Sequence, residues 1–502
     1  MLTDILARAA ERPDALAVID SRGRRTTFGQ LAAEIARVAG QLRERGFEPG
    51  DAVLFAVRPD GGMLPLGLGV LAAGGVIVVA DPGAGAGLAA ARRQLLDQKL
   101  ASVRWVAAES VLYALSARTS LRGKLKRAGL YLPDLEDRSL LRIRTGPWLP
   151  GAPLRPLPPR TGAPAQPALP GEQPGRDTPA VVVFTSGTTA EPRAVLHSLD
   201  SLHCGAQLLT GRIGAGPGDI VHTEQLMVAL PFLAAGAAWS TSGVPVRPER
   251  VLRALRERGA THTFATAAAA ETLLKAGPLP TSLRMFLLGA APVPIPVLER
   301  LRDALPDTEI VAVYGATEAL PIATATASEK LAYRDGDLLG TPLPGLSVRL
   351  DDTGEILVSG PNVAPAYLAE GEIRVLRTGD IGRIDPDGRL VLLGRAKDMI
   401  IRGSFNLYPR LYEDTVCRLP YIEAAAFVGL PDPVTLDEEV VLAVVPREGC
   451  PAGEAVARLR RELPELIDHA ALPDRVVAIE AVPRTGRTEK PDRERLRELV
   501  RR

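Results

Sequence analysis

The sequence predicts an α/β protein: a large N-terminal domain of layered, mostly parallel sheets with helices plus a small antiparallel β subdomain, then a small α+β C-terminal domain. Three observations carry this expectation. Helical patterns at 28–46, 86–97, 249–258 and 295–305 alternate with short β-branched runs at 51–56, 76–80, 180–184 and 309–313, the alternation of strands joined by crossover helices. From about Leu338 the texture changes to short strands and tight turns, with Asp385-Pro386-Asp387-Gly388 as a hairpin signal. After Lys397-Asp398 comes a compact segment with a helix near 409–418 and strands near 424–429 and 439–446.

In chain order, Met1–Ala10 carries Asp4 and Arg8 and reads as an amphipathic helix rather than a signal peptide. The apolar run Leu64–Ala80 holds Gly67, Gly69, Gly74 and Gly75, so it divides into a core helix and a Val-Ile-Val-Val strand instead of a membrane span. Residues 147–179 are too proline-rich for helix or central strand and are expected as an extended or disordered surface segment. The domain expectation is 1–395 for the N-terminal domain, with about 338–395 as its β-rich part, and 396–502 for the C-terminal domain.

At 502 residues and a formal net charge of +1, the chain has room for more than one core and no charge excess suited to nucleic acid. Cys204, Cys417 and Cys450 lack paired spacing, which suits a reducing cytoplasm. His197, His203 and Cys204 have no second cluster with which to build a metal site. The basic stretch Arg118–Arg127 reads as a solvated loop.

The chemistry concentrates in five short segments. Ala180–Phe184 is a buried-strand pattern running into Thr185, Ser186, Gly187, Thr188, Thr189 and then Arg193. Hydroxyls, a glycine that admits close backbone approach, and a fixed positive charge suit a polyphosphate. Ile310–Glu318 runs from a strand through Tyr314 and Gly315 to Thr317 and Glu318, placing a carboxylate where it could hold Mg²⁺. Leu287–Pro292 ends a strand in the small residues Gly289, Ala290 and Ala291, where a flat ring could lie. Arg377–Asp380 puts a carboxylate at a turn, able to accept two adjacent hydroxyls, and Pro483–Arg493 is a polar loop carrying Lys490.

Taken in order, FTSGTT, YGATE, TGD, GRAKD and the C-terminal lysine resemble the adenylate-forming superfamily of acyl-CoA synthetases, adenylation domains and luciferases, over nearly the whole chain. The resemblance implies that Thr185, Ser186, Gly187, Thr188 and Thr189 cradle the β- and γ-phosphates of ATP. It implies Mg²⁺ on Glu318, the α-phosphate at Thr317, and adenine against Gly289, Ala290, Ala291 and Tyr314, with Gly315 beside them. Asp380 would hold the ribose, Arg395 ribose or phosphate, Asp398 the hinge, and Lys490 would bridge the carboxylate and the α-phosphate. Lys490, Thr317, Glu318 and Arg193 are thus the candidate catalytic residues.

The implied reaction activates an apolar acyl or aryl acid to an acyl-adenylate, releases pyrophosphate and passes the acyl group to CoA or a carrier thiol, in fatty-acid or secondary metabolism. Ala190-Glu191-Pro192-Arg193-Ala194 replaces the family's Gly-x-Pro-Lys-Gly, Gly403-Ser404 its Gly-Gly pair, and Glu489-Lys490-Pro491 its Gly-Lys-Ile. YGATEALPIA and GAAPVP also resemble bacterial β-lactone synthetases, which close an adenylated β-hydroxy acid without CoA. Lactone closure or another non-thiol acceptor is one alternative, and a non-catalytic nucleotide-binding homologue is another. The expected partners are a small carboxylic acid and either CoA or a carrier protein, with no nucleic acid and no membrane span.

Overall fold

In a computed structural model of the chain, all residues are described except 59, 61, 80–102, 117–140, 147–148, 151, 154–177, 185–192, 245, 396–397, 403–404, 408, 432–437, 468–470, 486–489 and 502. At 116, 401, 402, 405, 406, 411, 431, 485 and 490 only the backbone is described. The chain forms two compact units: Met1–Thr263 with Thr317–Leu320 and Pro361–Arg374, and Phe264–Ala316 with Pro321–Gly360 and Val375–Arg502. The mixed α/β class is the one expected. Among the described residues no helix is long and apolar enough to cross a membrane.

In the first unit, Ala52–Ala56 pairs in parallel with Val76–Val79 and Val103–Glu109, and Val103–Glu109 with Leu141–Thr145. Pro179–Phe184 joins parallel to Val76–Val79 and antiparallel to Ala194–Ser198. Ala52–Ala56 is buried at every position, as a central strand covered on both faces should be. The run Leu64–Ala80 resolves into helix Met63–Ala72 and strand Val76–Val79. Gly69 is required there: a Cβ would lie 2.4 Å from Val38 of helix Phe28–Glu44. That helix begins where Thr27 and Gln30 form a capping box. Helices Leu2–Glu11 and Pro248–Glu257 also lie where the pattern places them, while the helix expected at 86–97 and the basic stretch fall outside the described residues.

Most of the proline-rich segment also falls outside them, but Ala152 is buried in the core of the parallel strands. Its described neighbours Leu149 and Pro150 are exposed. Pro179 opens its strand at the first position, where its missing N–H is tolerated.

A second set of parallel strands in this unit, Ile220–His222, Ala238–Ser240 and Leu16–Ile19, carries the buried His222, and the buried His262 pairs in parallel with Val221. His222 contacts Ser240 Oγ at 2.9 Å and Ser242 Oγ at 3.0 Å, with Arg258 and Glu224 nearby, and burial followed by the Arg258 charge lowers its pKa to about 3. His262 contacts Thr261 Oγ at 2.8 Å, and burial lowers its pKa to about 4 although Asp219 lies 3.8 Å away.

The second unit contains the parallel pair Met285–Gly289 and Glu309–Ala316. Antiparallel strands follow in the order Asp337–Pro342, Leu390–Arg395, Leu376–Ile384, Glu355–Ser359, Ser347–Leu350. The hairpin through Asp385–Gly388 is present, with Asp385 accepting from the Asp387 and Arg389 amides at 3.0 and 2.9 Å. Helix Pro409–Cys417 and strands Ile422–Pro431, Glu438–Pro446 and Arg475–Ala478 enclose a core that includes Leu407, Val416, Phe427, Leu442 and Leu459.

Neutral buried histidines set the acid response. Below about pH 6.5 the unfolded chain takes up protons that His222 and His262 refuse, so stability falls as pH falls. Urea midpoints should be lower at pH 5 than at pH 7, and His262→Gln should shrink the difference. An unchanged pH dependence in that variant would remove His262 as a source.

Candidate active site

In the first unit the site is built on strand pairing. Phe184 stands opposite Ala194, so residues 185–193 join the ends of an antiparallel pair. Thr185, Ser186, Gly187, Thr188 and Thr189 lie outside the described residues, as does Ala190, whereas Arg193 is described. On its other edge Ala194–Ser198 pairs with Ala366–Tyr367, Tyr367 standing opposite Val195. The Leu368 amide donates to the Ala194 carbonyl at 2.9 Å, and the Ala364 amide to the Glu318 carbonyl at 2.7 Å. The segment from 361 to 374 thus ties the loop strand to Thr317–Leu320.

Side chains follow that frame. The Tyr367 hydroxyl donates to Glu318 Oε1 at 2.8 Å. Burial, then the hydrogen bond to Glu318, pushes the phenol well above the usual tyrosine range, so it stays a donor. The Arg193 guanidinium lies 3.5 Å above the Tyr367 ring and is gripped in a fork by Glu370, Nε to Oε1 at 2.6 Å and Nη2 to Oε2. Glu370, before burial is counted, raises the Arg193 pKa, so this charge is permanent. His197, buried on the loop strand, meets the Thr317 carbonyl through Nε2 at 2.8 Å. A carbonyl only accepts, so Nε2 carries the proton, and burial lowers the His197 pKa and keeps the ring neutral.

In the second unit Gly289 stands opposite Val313, which sets Gly289–Ala291 beside Tyr314 and Gly315. A Cβ on Gly289 would meet the Phe264 ring and the Val313 carbonyl at 3.1 Å. Ala290 has φ of 62° and is the one non-glycine with positive φ among the described residues. Such strain gathers where a backbone is shaped for a ligand. Asp380 is buried. Its Oδ2 accepts from the Tyr314 hydroxyl at 2.8 Å and its Oδ1 faces Arg395 Nε at 2.8 Å. Desolvation, then the Asp380 charge, holds the Tyr314 phenol far above its ordinary pKa.

Arg377–Asp380 is not a turn, contrary to expectation; it lies inside strand Leu376–Ile384. The polar Thr-Gly pair forms a bulge instead of reversing the chain. Gly379 takes φ of 71°, its amide donates to Glu355 Oε1 at 2.9 Å, and Thr378 Oγ donates to the Ile356 carbonyl at 2.9 Å. Asp380 then resumes the ladder opposite Arg395. The bulge places a charged residue in a buried position with its partner already in register.

Asp398 lies 3.6 Å from Arg493, whose other nitrogens grip Glu413 at 2.8 and 3.1 Å. Lys490 stands opposite Thr485 in a short strand pair, and only its backbone is described. Ser404 and Glu489 are outside the described residues. Sequence reasoning missed Tyr367, Glu370 and His197. Only His197 leaves a signal, a polar residue inside the apolar strand Ala194–Ser198.

Among the described residues no group of three or more His, Cys, Asp or Glu could hold a metal ion. Glu318 with one oxygen engaged by Tyr367 suits a hard ion that keeps water and phosphate oxygens as its other ligands. The donor set fits Mg²⁺ carried on a nucleotide.

A family model described as AMP-binding enzyme matches residues 5–368, and one described as AMP-binding enzyme C-terminal domain matches 412–489. The chain belongs to this adenylate-forming family of enzymes. It is 30% identical over 489 residues to feruloyl-CoA synthase of Amycolatopsis sp, covering 91% of each chain. It is 35% and 36% identical to the methyl-dioxo-octahydroindenyl-propanoyl:CoA ligases of Mycobacterium tuberculosis and Rhodococcus jostii, spanning 44% and 31% of their lengths. The solved amide bond synthetase McbA of Marinactinospora thermotolerans matches over 100% of both chains at TM-score 0.81 and 26% identity.

Asp380→Asn keeps shape but loses the charge that pairs with Arg395. The KM for ATP should rise by about tenfold, the scale of a hydrogen bond to a charged group, with the acid's KM unchanged. Steady-state kinetics read this directly, and an ATP KM within about twofold of wild type would remove Asp380 from the nucleotide site.

Proposed function

We propose that the protein activates a carboxylic acid with ATP and passes the acyl group to CoA. The observation that carries this reading is Asp380, a buried carboxylate held at both oxygens by Tyr314 and Arg395, in a chain matched by AMP-binding models from 5 to 368 and 412 to 489. The named relatives apart from McbA are CoA ligases, which supports the thiol acceptor and does not favour lactone closure.

In this reading Thr185, Ser186, Gly187, Thr188, Thr189 and Arg193 orient the β- and γ-phosphates. Gly289, Ala290, Ala291, Tyr314 and Gly315 receive adenine, Asp380 the ribose hydroxyls, and Arg395 ribose or phosphate. Glu318 would hold Mg²⁺, with Thr317 at the α-phosphate; the ion supplies charge neutralisation on the phosphates. A carboxylate oxygen of the acid attacks the α-phosphorus, and the bond to the bridging oxygen breaks to release pyrophosphate. The Lys490 ammonium offsets the approach of anion to anion. The CoA thiolate then attacks the acyl carbon and AMP leaves. Residues 396–502 act as the lid on 1–395, with Asp398 as hinge; a core closed from residues 400–476 supports the lid's integrity.

An apolar acyl or aryl acid is favoured by Gln225–Trp239 and Ala265–Ala270, which are dominated by Ala, Leu, Val and Phe. A carrier protein in place of free CoA is the finer alternative. The absence of paired cysteine spacing in the sequence agrees with action in the cytoplasm.

Exchange of labelled pyrophosphate into ATP should depend on an added acid. The active acid, run with and without CoA and with and without an amine, should yield a thioester by mass only when CoA is present. A lactone or an amide instead would replace the acceptor, and nucleotide binding without exchange across a broad acid panel would make the chain a non-catalytic binder. Lys490→Ala should lower the exchange rate by on the order of 10²–10³ with ATP affinity nearly kept; a variant retaining more than about a tenth of the rate would sink that role.

A further inference from the structure

The Arg193 substitution gains a physical reason once its neighbours are included. Glu370, Arg193, Tyr367 and Glu318 form a continuous series: a fork–fork ion pair, a guanidinium 3.5 Å above a ring, and a phenol donating at 2.8 Å to a carboxylate. A lysine could supply the charge but neither the fork nor the flat face. Main-chain bonds hold the members from both sides, Tyr367 opposite Val195 and the Ala364 amide on the Glu318 carbonyl. The phenol engages Oε1 of Glu318 and leaves Oε2 for another partner.

We propose that Tyr367 is a positioning residue for the activation step, fixing the rotamer of Glu318 toward the metal–nucleotide complex, with Arg193 and Glu370 bracing its ring. This rests on Glu318 being the Mg²⁺ ligand of the proposed function. An unbraced glutamate divides its time among rotamers and must be ordered when the metal–nucleotide complex binds; one held by a charge-accepting hydrogen bond is already ordered. Arg193, which immediately precedes strand Ala194–Ser198, reaches Glu318 through the same ring.

Tyr367→Phe tests this because it keeps the ring and the stack and removes only the hydroxyl. Mg²⁺ titrations of binding to a non-hydrolysable ATP analogue, followed by calorimetry, should show the half-saturating Mg²⁺ concentration raised about three- to tenfold. The exchange kcat should fall by a similar factor, while the KM for the acid and the melting temperature stay near wild type. Arg193→Lys, with charge kept and bracing lost, should move the Mg²⁺ titration in the same direction. Wild-type Mg²⁺ dependence in Tyr367→Phe would overturn the proposal, as would a loss of thermal stability alone. If the wild type shows no acid-dependent exchange but Tyr367→Phe still shifts the Mg²⁺ titration, the acid-activation reading falls and the positioning of Glu318 toward the metal–nucleotide complex stands. If the wild type binds the analogue without any Mg²⁺ dependence, both fall.

Discussion

The main-chain pairing of Ala194–Ser198 on both edges is the constraint on which the first unit's chemistry depends. One edge meets Pro179–Phe184 and the other Ala366–Tyr367. A five-residue strand therefore aligns three remote parts of the chain: the loop that ends at Arg193, the segment carrying Tyr367 and Glu370, and Thr317–Leu320. Backbone hydrogen bonds are directional and short, so they transmit position better than apolar packing does. His197 adds a side-chain tie from the same strand to the Thr317 carbonyl.

The second unit solves a different problem, partnering a buried carboxylate. Desolvation of a lone buried carboxylate would cost several kcal/mol. Asp380 avoids that cost with a phenol on one oxygen and a guanidinium on the other. The bulge at Gly379 allows this, because an unbroken ladder would turn the next side chain to the opposite face. A charged group that is fully partnered before ligand arrives is oriented and needs no reorganisation.

Much of the fold was legible in the sequence because burial leaves periodic traces. The paired glycines in Leu64–Ala80 and the Asp-Pro-Asp-Gly turn both marked real boundaries. Arg377–Asp380 misled for a physical reason: Thr-Gly-Asp satisfies turns and bulges equally well, and only the partners of Thr378 and Gly379 distinguish them. The candidate site was legible where chemistry sits in contiguous motifs, as at Glu318 and Asp380. Glu370 was not, since Arg193 and Glu370 are 177 positions apart and each is an ordinary surface residue until strand pairing joins them.

Ala290 shows how the timing of an energetic cost can be shifted. An alanine in the left-handed region is disfavoured by roughly 1–2 kcal/mol, and glycine would occupy the same backbone without strain. Because the conformation is imposed by the fold, that penalty is met once, when the chain folds, and would not recur with each ring bound at the proposed adenine site. The strand end therefore behaves as a rigid platform, whereas a glycine there would leave part of the ordering to be done at every binding event.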